Sequence, residues 1–459
     1  MSRTANLWFP PLVLSVALIP LGAQIPAALY VVLMLVSAGF CVAGVRALAS
    51  DRATNTHLEF FGAAGTAILL AMPAYVVVQL IVQIVTGYSD GPVYAISESA
   101  LKLVAIALFY VLVHGACTDA RAFRTLLGAL ALIGGAEAAY GVLNLLAGNE
   151  TLLVWRRWIF FDSATGTLSS RNHFAYLMEL LLPAAIAFAI VCGRDVGRRG
   201  EAQPSERRAR TALLGTIAMV SGLGLIFSKS RMGILSFTLA TCAVFALDRA
   251  VRPSHDDSAR HERRGLPVVA IGVGVVAVGL AAAIGLDSVL ERFLRVDNDF
   301  VAGRWPIWRG AFAMFSTHPL IGNGWGTFQA LLPTYRVEPN GFYYTHAHND
   351  YLEILAEGGV IGLAIAFLLL AVFARRLTQA LSSSLSHTQR SVVCWLGVAL
   401  SSTLIHSFAD YGLRVPGVAL TFVAVAALFT RMAETPTLAT ARTRSRSRSR
   451  SHRSTSRDA

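Results

Sequence analysis

The densest run of ionisable and hydrogen-bonding side chains in this chain is Thr345-His346-Ala347-His348-Asn349-Asp350-Tyr351-Leu352-Glu353. A neutral imidazole can take a proton from a hydroxyl near neutral pH, and a neighbouring carboxylate or amide fixes which ring nitrogen is free to do so. His348 is therefore the first candidate for a general base. A blander reading makes the segment a helix start with Asn349 or Asp350 as its N-cap, but capping requires no histidine. His346 and Asn349 stand beside His348 as candidate substrate-binding groups. His-x-His followed by Asp also resembles part of a hydrolase metal cluster. Because His173, His318 and His406 show no matching ligand spacing, neither a metal nor a cofactor is expected.

Arginine supplies the second chemistry, since a planar guanidinium pairs with phosphate through two hydrogen bonds and stays charged at any working pH. Arg231 ends a short turn, Ser228-Lys229-Ser230-Arg231, between two apolar runs, which should leave Lys229 and Arg231 at a membrane surface. Arg304 and Arg309 open a segment with helical spacing of apolar residues, and at five residues apart they lie on different helical faces. Arg171, in Ser170-Arg171-Asn172-His173, starts another apolar run. Any one of these reads as an anchor whose charged end reaches the water. Gathered on one membrane face, they suit a diphosphate. Glu137 falls within an apolar run and is a functional candidate for that reason, and in a transporter Glu137 and Glu179 would be the coupling groups.

A bundle of membrane helices must position these groups. The chain is 55% hydrophobic and 14% charged, far from the balance of a water-soluble domain. Uncharged stretches such as Phe60 to Ser89 and Leu266 to Leu286 are long enough to cross a hydrocarbon layer about 30 Å thick. Hydropathy places helices near 7–22, 25–45, 60–86, 97–114, 124–147, 172–193, 211–228, 231–248, 266–286, 351–374, 391–409 and 413–431. The predicted fold is all-α: a polytopic transmembrane bundle of about 12 helices, with one long extracytoplasmic loop, 287–350, containing short amphipathic helices such as 304–317. Arginine-rich connections around 198–210, 249–264 and 375–390 fall on one side, which the positive-inside rule makes cytoplasmic, together with both termini.

The domain reading is one transmembrane unit over 1–431 and a disordered Arg/Ser-rich cytoplasmic tail over 432–459. The net charge of +12 resides in short loops and this tail, a pattern that fits attraction to anionic lipid rather than to nucleic acid. Arg3 and the apolar run after it could pass for a signal peptide. No small-residue cleavage site follows, so the run is read as the first helix. Five cysteines lie in or beside apolar spans and form no disulfide framework.

Taken in order, Ser230-Arg231-Met232-Gly233, Gly303-Arg304 to Trp308, His318-Pro319-Leu320-Ile321-Gly322-Asn323-Gly324 and His346-Ala347-His348-Asn349-Asp350-Tyr351-Leu352 resemble the signature of the O-antigen ligase and polymerase superfamily. Thr167 to Ala175 resembles that family's Arg-Asn-His segment. The resemblance implies a bacterial inner-membrane enzyme that transfers glycan from an undecaprenyl-diphosphate-linked donor to an acceptor hydroxyl, without metal and with inversion, on the periplasmic or exterior face. His348 would be its base, and Arg231 and Arg304 would hold the diphosphate. The acceptor stays open between a lipid A core, another lipid-linked glycan and a protein hydroxyl. The alternative class is a membrane transporter or channel for a small anion or solute. Transport sites sit at the bilayer midplane on broken helices, sometimes in repeated halves, whereas the polar groups here gather at one face.

Overall fold

A computed structural model describes residues 3–19, 24, 26–48, 70–157, 159–198, 204–252, 299–335, 344–435 and 438. Within them the chain is almost entirely helical: α1 (Arg3–Leu18), α2 (Pro26–Leu48), α3 (Ala71–Thr86), α4 (Val93–Ala116), α5 (Ala120–Leu146), α6 (Arg171–Arg198), α7 (Pro204–Phe227), α8 (Arg231–Val251), α9 (Asp299–Thr317), α10 (Phe328–Tyr335), α11 (Asp350–Ser382), α12 (His387–His406) and α13 (Pro416–Glu434). A two-stranded antiparallel ribbon, β1 (Thr151–Leu152) against β2 (Trp155–Arg156), interrupts the connection between α5 and α6. Helix starts carry the side chains that satisfy otherwise unpaired amides. Asp119 accepts from the amides of Arg121 and Ala122, Ser230 from that of Gly233, and Ser386 forms a capping box with Gln389.

Six helices are long and apolar enough to cross a membrane, namely α4, α5, α6, α8, α11 and α13, and shorter apolar helices lie in α1, α2, α3 and α7. This is a multi-pass membrane protein. The expected span 266–286, the first part of 60–86 and the tail 442–457 lie outside the described residues. Every other expected span has a helix at its position, with ends shifted by a few residues. α12 is less apolar than these six, and its packing accounts for that. It is enclosed by α6, α8 and α13, so its buried Ser402, Thr403 and His406 meet protein instead of hydrocarbon.

One large apolar core, including Phe109, Phe123, Phe174 and Leu177, joins α1, α2 and α4 to α8 with α11 to α13. A separate small core of Ile307, Ala311, Met314, Phe328, Leu331 and Ala347 packs α9 and α10 against the start of α11. α9 begins at Asp299, so Arg304 and Arg309 sit well inside it and do not open it as expected.

Ion pairs separate the two ends of the bundle. At one end Asp248 pairs with Arg390 at 2.7 Å and with Arg252, and Glu434 pairs with His114 and Arg376. At the other end the Thr167 hydroxyl donates to the Leu18 carbonyl, Ala164 N–H to the Phe227 carbonyl and Asp350 N–H to the Ser407 carbonyl. The His-x-His segment belongs to this second end.

α11 is broken at Gly359, whose φ of 61° and ψ of −164° leave the helix. A Cβ there would lie 2.4 Å from the Leu320 carbonyl oxygen, and one at Gly322 (φ 79°) 2.3 Å from that of Glu357. Both sites therefore need glycine for conformation and for space. The amides freed by the break are satisfied, Val360 by the Pro319 carbonyl and Ile361 by the Leu320 carbonyl.

Candidate functional site

His348 precedes the cap residue of α11 and has a φ of 50°, a left-handed conformation that an L-residue holds only when its surroundings enforce it. They do. The Ala347 amide donates to Glu353 Oε2 at 2.7 Å, while its carbonyl accepts from Trp308 Nε1 at 3.0 Å, so the peptide just before His348 is gripped by α11 and α9. Asn349 Oδ1 then accepts from Leu352 N–H at 3.0 Å. Asn349 thus fills the capping role, which occupies the oxygen it would otherwise offer a substrate.

The imidazole of His348 meets a carboxylate from the short connection between α12 and α13. Its Nδ1 lies 3.0 Å from Asp410 Oδ1, and 31% of the His348 side chain remains exposed. Asp410 is buried, and two other donors hold it: Asn172 Nδ2 on its second oxygen and the Tyr411 amide at 3.0 Å on the first. Burial alone would raise the Asp410 pKa. The hydrogen bond from His348 and the charges of His348, His173 and His406 outweigh it and hold the carboxyl well below the usual range. Three imidazoles surround the Tyr411 ring: His346 stacked at 4.2 Å, with His173 at 4.8 Å and His348 at 4.9 Å edge-on. Burial and the adjacent Asp410 charge push the Tyr411 phenol above its ordinary value, so it stays protonated.

His346 has its own carboxylate, with Nδ1 2.8 Å from Glu353 Oε1. Behind it Arg414 donates to Glu357 at 2.7 Å, approaches Glu353 at 3.6 Å and Asp350 at 3.8 Å, and lies over the Trp325 ring at 4.6 Å. Burial lowers the guanidinium's affinity for its proton, but the three acids more than reverse this and push the pKa above the usual arginine value. Glu353, Glu357 and Asp350 share one face of the head of α11, and one cation binds that face to the loop that carries Asp410.

The expected arginines are distributed around this centre. Arg171 is the first residue of α6, directly before Asn172 and His173, and its guanidinium lies 4.7 Å over the Phe160 ring. Arg231 is the first residue of α8, whose Gly233 abuts Ala175 of α6 so closely that an added Cβ would be 2.6 Å away. Arg304 is half-buried in α9. Burial depresses its pKa, and the negative charge of Asp410 partly restores it, which places the guanidinium within electrostatic reach of the His348 partner. Arg309 is exposed, on a different face from Ile307, Ala311 and Met314, which pack inward.

Some residues differ from their sequence reading. Lys229 is not a surface anchor. It is buried with a φ of 52°, and its ammonium lies 3.5 Å from Asp162, tying the turn before α8 to the 157–168 loop. In that loop Arg157 donates to the Phe160 and Ser163 carbonyls, the latter at 2.9 Å. Glu137 accepts from both the amide and the hydroxyl of Thr167, at 2.9 and 2.8 Å, so it anchors the loop before α6. His318 pairs with Asn323 and the Tyr88 carbonyl, supporting the Gly322 turn. Asp410, Tyr411 and Arg414 were not singled out from sequence. Their signal is a short polar connection, 410–414, between two apolar spans at the site end.

Residues 215–367 match the model of the O-antigen ligase family. The match covers about a third of the chain. The matched stretch contains Arg231, Arg304, Arg309, His346, His348 and Asn349, while Arg171 and Asp410 lie on either side of it. The exopolysaccharide production protein ExoQ of Rhizobium meliloti (strain 1021) is 25% identical over 216 residues. The alignment covers 45% of this chain and 45% of that protein, so the chain spans less than half of the relative it matches. The ligase-family stretch thus brings the candidate base and two of the candidate diphosphate ligands, and residues beyond it complete their surroundings.

Proposed function

We propose that this protein transfers a polyprenyl-diphosphate-linked glycan to an acceptor hydroxyl at the extracytoplasmic face of a bacterial inner membrane. The observation that carries the reading is the His348–Asp410 pair, set among helix starts that bear arginines. With Nδ1 held by Asp410, Nε2 is the nitrogen left to accept the hydroxyl proton. The acceptor oxygen attacks the anomeric carbon, its proton passes to His348, and the bond to the diphosphate breaks with its electron pair staying on the diphosphate. Attack opposite the leaving group inverts the centre. Asp410 stabilises the imidazolium as it forms, and Arg171, Arg231 and Arg304 offset the charge gathering on the departing diphosphate.

The distribution of charge supports this orientation. Arg249, Arg252, Arg375, Arg376, Arg390 and Arg431 occupy the end of the bundle opposite His348, which the positive-inside rule assigns to the cytoplasm. Similarity to an exopolysaccharide production protein favours a growing glycan as the acceptor over a lipid A core or a protein. In proteoliposomes given a polyprenyl diphosphate glycan donor, wild-type protein should transfer glycan with chelator present, and His348→Ala and Arg304→Ala should lose nearly all of that activity at matched folded protein. Transfer that survives His348→Ala would remove the base assignment.

A further inference from the structure

The proposed mechanism leaves unused a second His–carboxylate pair, buried deeper in the bundle. Glu179 of α6 and His406, the last residue of α12, are both fully enclosed, and Glu179 Oε1 lies 2.8 Å from His406 Nδ1. The same oxygen lies 3.0 Å from Ser236 Oγ of α8, whose hydroxyl is shared between Glu179 and the Met232 carbonyl at 2.6 Å in the preceding turn. The His406 ring stacks on Tyr176 of α6 at 3.9 Å and an interplanar angle of 3°. Glu179 Oε2 and His406 Nε2 make no hydrogen bond among the described residues. Such a pair is a costly way to fill a helix junction, because apolar side chains of similar volume would pack there without any desolvation penalty.

The pair's position suggests what it does. Arg231 begins α8 five residues before Ser236, and Asp410 follows His406 by four residues, with the Ala409 and Asp410 amides both donating to the His406 carbonyl. One carboxylate oxygen therefore joins the helix that presents Arg231 to the turn that presents Asp410, and it does so from α6, whose first residues are Arg171 and Asn172. We propose that Glu179 and His406 are positioning residues that fix the separation between Arg231 and the Asp410–His348 base. The proposal builds on the transferase reading above. In that reading a diphosphate and an acceptor hydroxyl must be held together, and a misplacement of about 1 Å costs on the order of 100-fold in rate.

Two readouts test it. In the transfer assay, Glu179→Gln keeps an oxygen for both Ser236 and His406 and should stay within about threefold of wild type. Glu179→Leu leaves His406 and Ser236 without this partner and should lower the thermal midpoint; at matched folded protein it should lower kcat on the order of 100-fold, with donor KM nearly unchanged. Independently of activity, spin labels at Leu235→Cys and Phe408→Cys, both exposed positions, would report the α8-to-loop distance once exposed Cys41 and Cys242 are replaced by serine. Glu179→Leu should broaden that distance distribution, and Glu179→Gln should leave it narrow. An unchanged distribution in Glu179→Leu, a broadened one with full kcat, or equal loss in the two variants would each overturn the proposal. If the wild type transfers no glycan, the functional reading fails, and the distance measurement alone decides whether the pair fixes this geometry.

Discussion

Asp410→Asn isolates the electrostatic part of the site, because it keeps the shape of the side chain and removes only its charge. In the wild type His348 Nδ1 lies 3.0 Å from Asp410 Oδ1, so the imidazolium formed on proton uptake sits beside a full negative charge. Two unit charges at that separation, with an effective dielectric constant of about 20, attract by roughly 5 kcal/mol. With 31% of the His348 side chain exposed to water, roughly half of that survives screening, about 2–3 kcal/mol. At about 1.4 kcal/mol per decade this corresponds to a kcat loss on the order of 100-fold. Donor KM should hold, since the proposed diphosphate ligands are the arginines and not Asp410. Stability supplies a second check with a definite sign. The folded-state pKa of Asp410 is depressed, so its contribution is fully present above the ordinary carboxylate pKa near 4 and is lost as pH falls below it. Thermal unfolding in detergent should show wild type ahead of Asp410→Asn at pH 7, with the gap beginning to narrow only once pH falls below about 4. Glycan transfer by Asp410→Asn at more than a third of the wild-type kcat would refute the reasoning.

Further expectations concern residues with contrasting surroundings. Arg304→Ala should reduce transfer on the order of 100-fold, while Arg309→Ala, on the exposed face of α9, should stay within about twofold; steady-state kinetics of both variants decide this. Arg414→Met leaves Asp350, Glu353 and Glu357 buried without their cation and should destabilise the protein by about 3–5 kcal/mol, seen as a collapse of the monodisperse fraction after extraction. Gly359→Ala places a Cβ against the Leu320 carbonyl at a positive φ and should cost on the order of 2 kcal/mol, read from the thermal midpoint.

The sequence makes the site legible in its residue types and only partly in its partners. His348 and the arginines stand out because a proton acceptor and several guanidinium groups beside apolar spans have little reason to be there unless they meet a polar ligand. Asp410 does not stand out, because its partner lies 62 positions away and only the packing of α12 beside α11 brings them together. Lys229 shows the limit of reading a cation between two apolar runs as an anchor. Asp162, from a different loop, neutralises it in a place that hydropathy cannot see. Asn349 shows the reverse, since the local pattern alone points to capping and the hydrogen bond from Leu352 is itself local. For α12 the apolar run gives the position correctly but hides the environment. Its polar residues become intelligible only once neighbouring helices enclose them.

The break at Gly359 divides α11 into two pieces with separate attachments. The head, from Asp350 to Gly358, is fastened to Arg414, to the Ser407 carbonyl and to the 318–324 turn, whereas the longer piece beyond Gly359 is apolar, long enough to cross a membrane and exposes Val360, Phe367 and Leu368. Helices adapt to bilayers of different thickness mainly by tilting. Here a tilt of the long piece is absorbed at a glycine whose freed amides already have partners in another segment, so the lever arm ends before it reaches the base. The face that carries His348 is thereby set apart from the mechanical state of the lipid, which the proposed transfer from a lipid-borne donor would require.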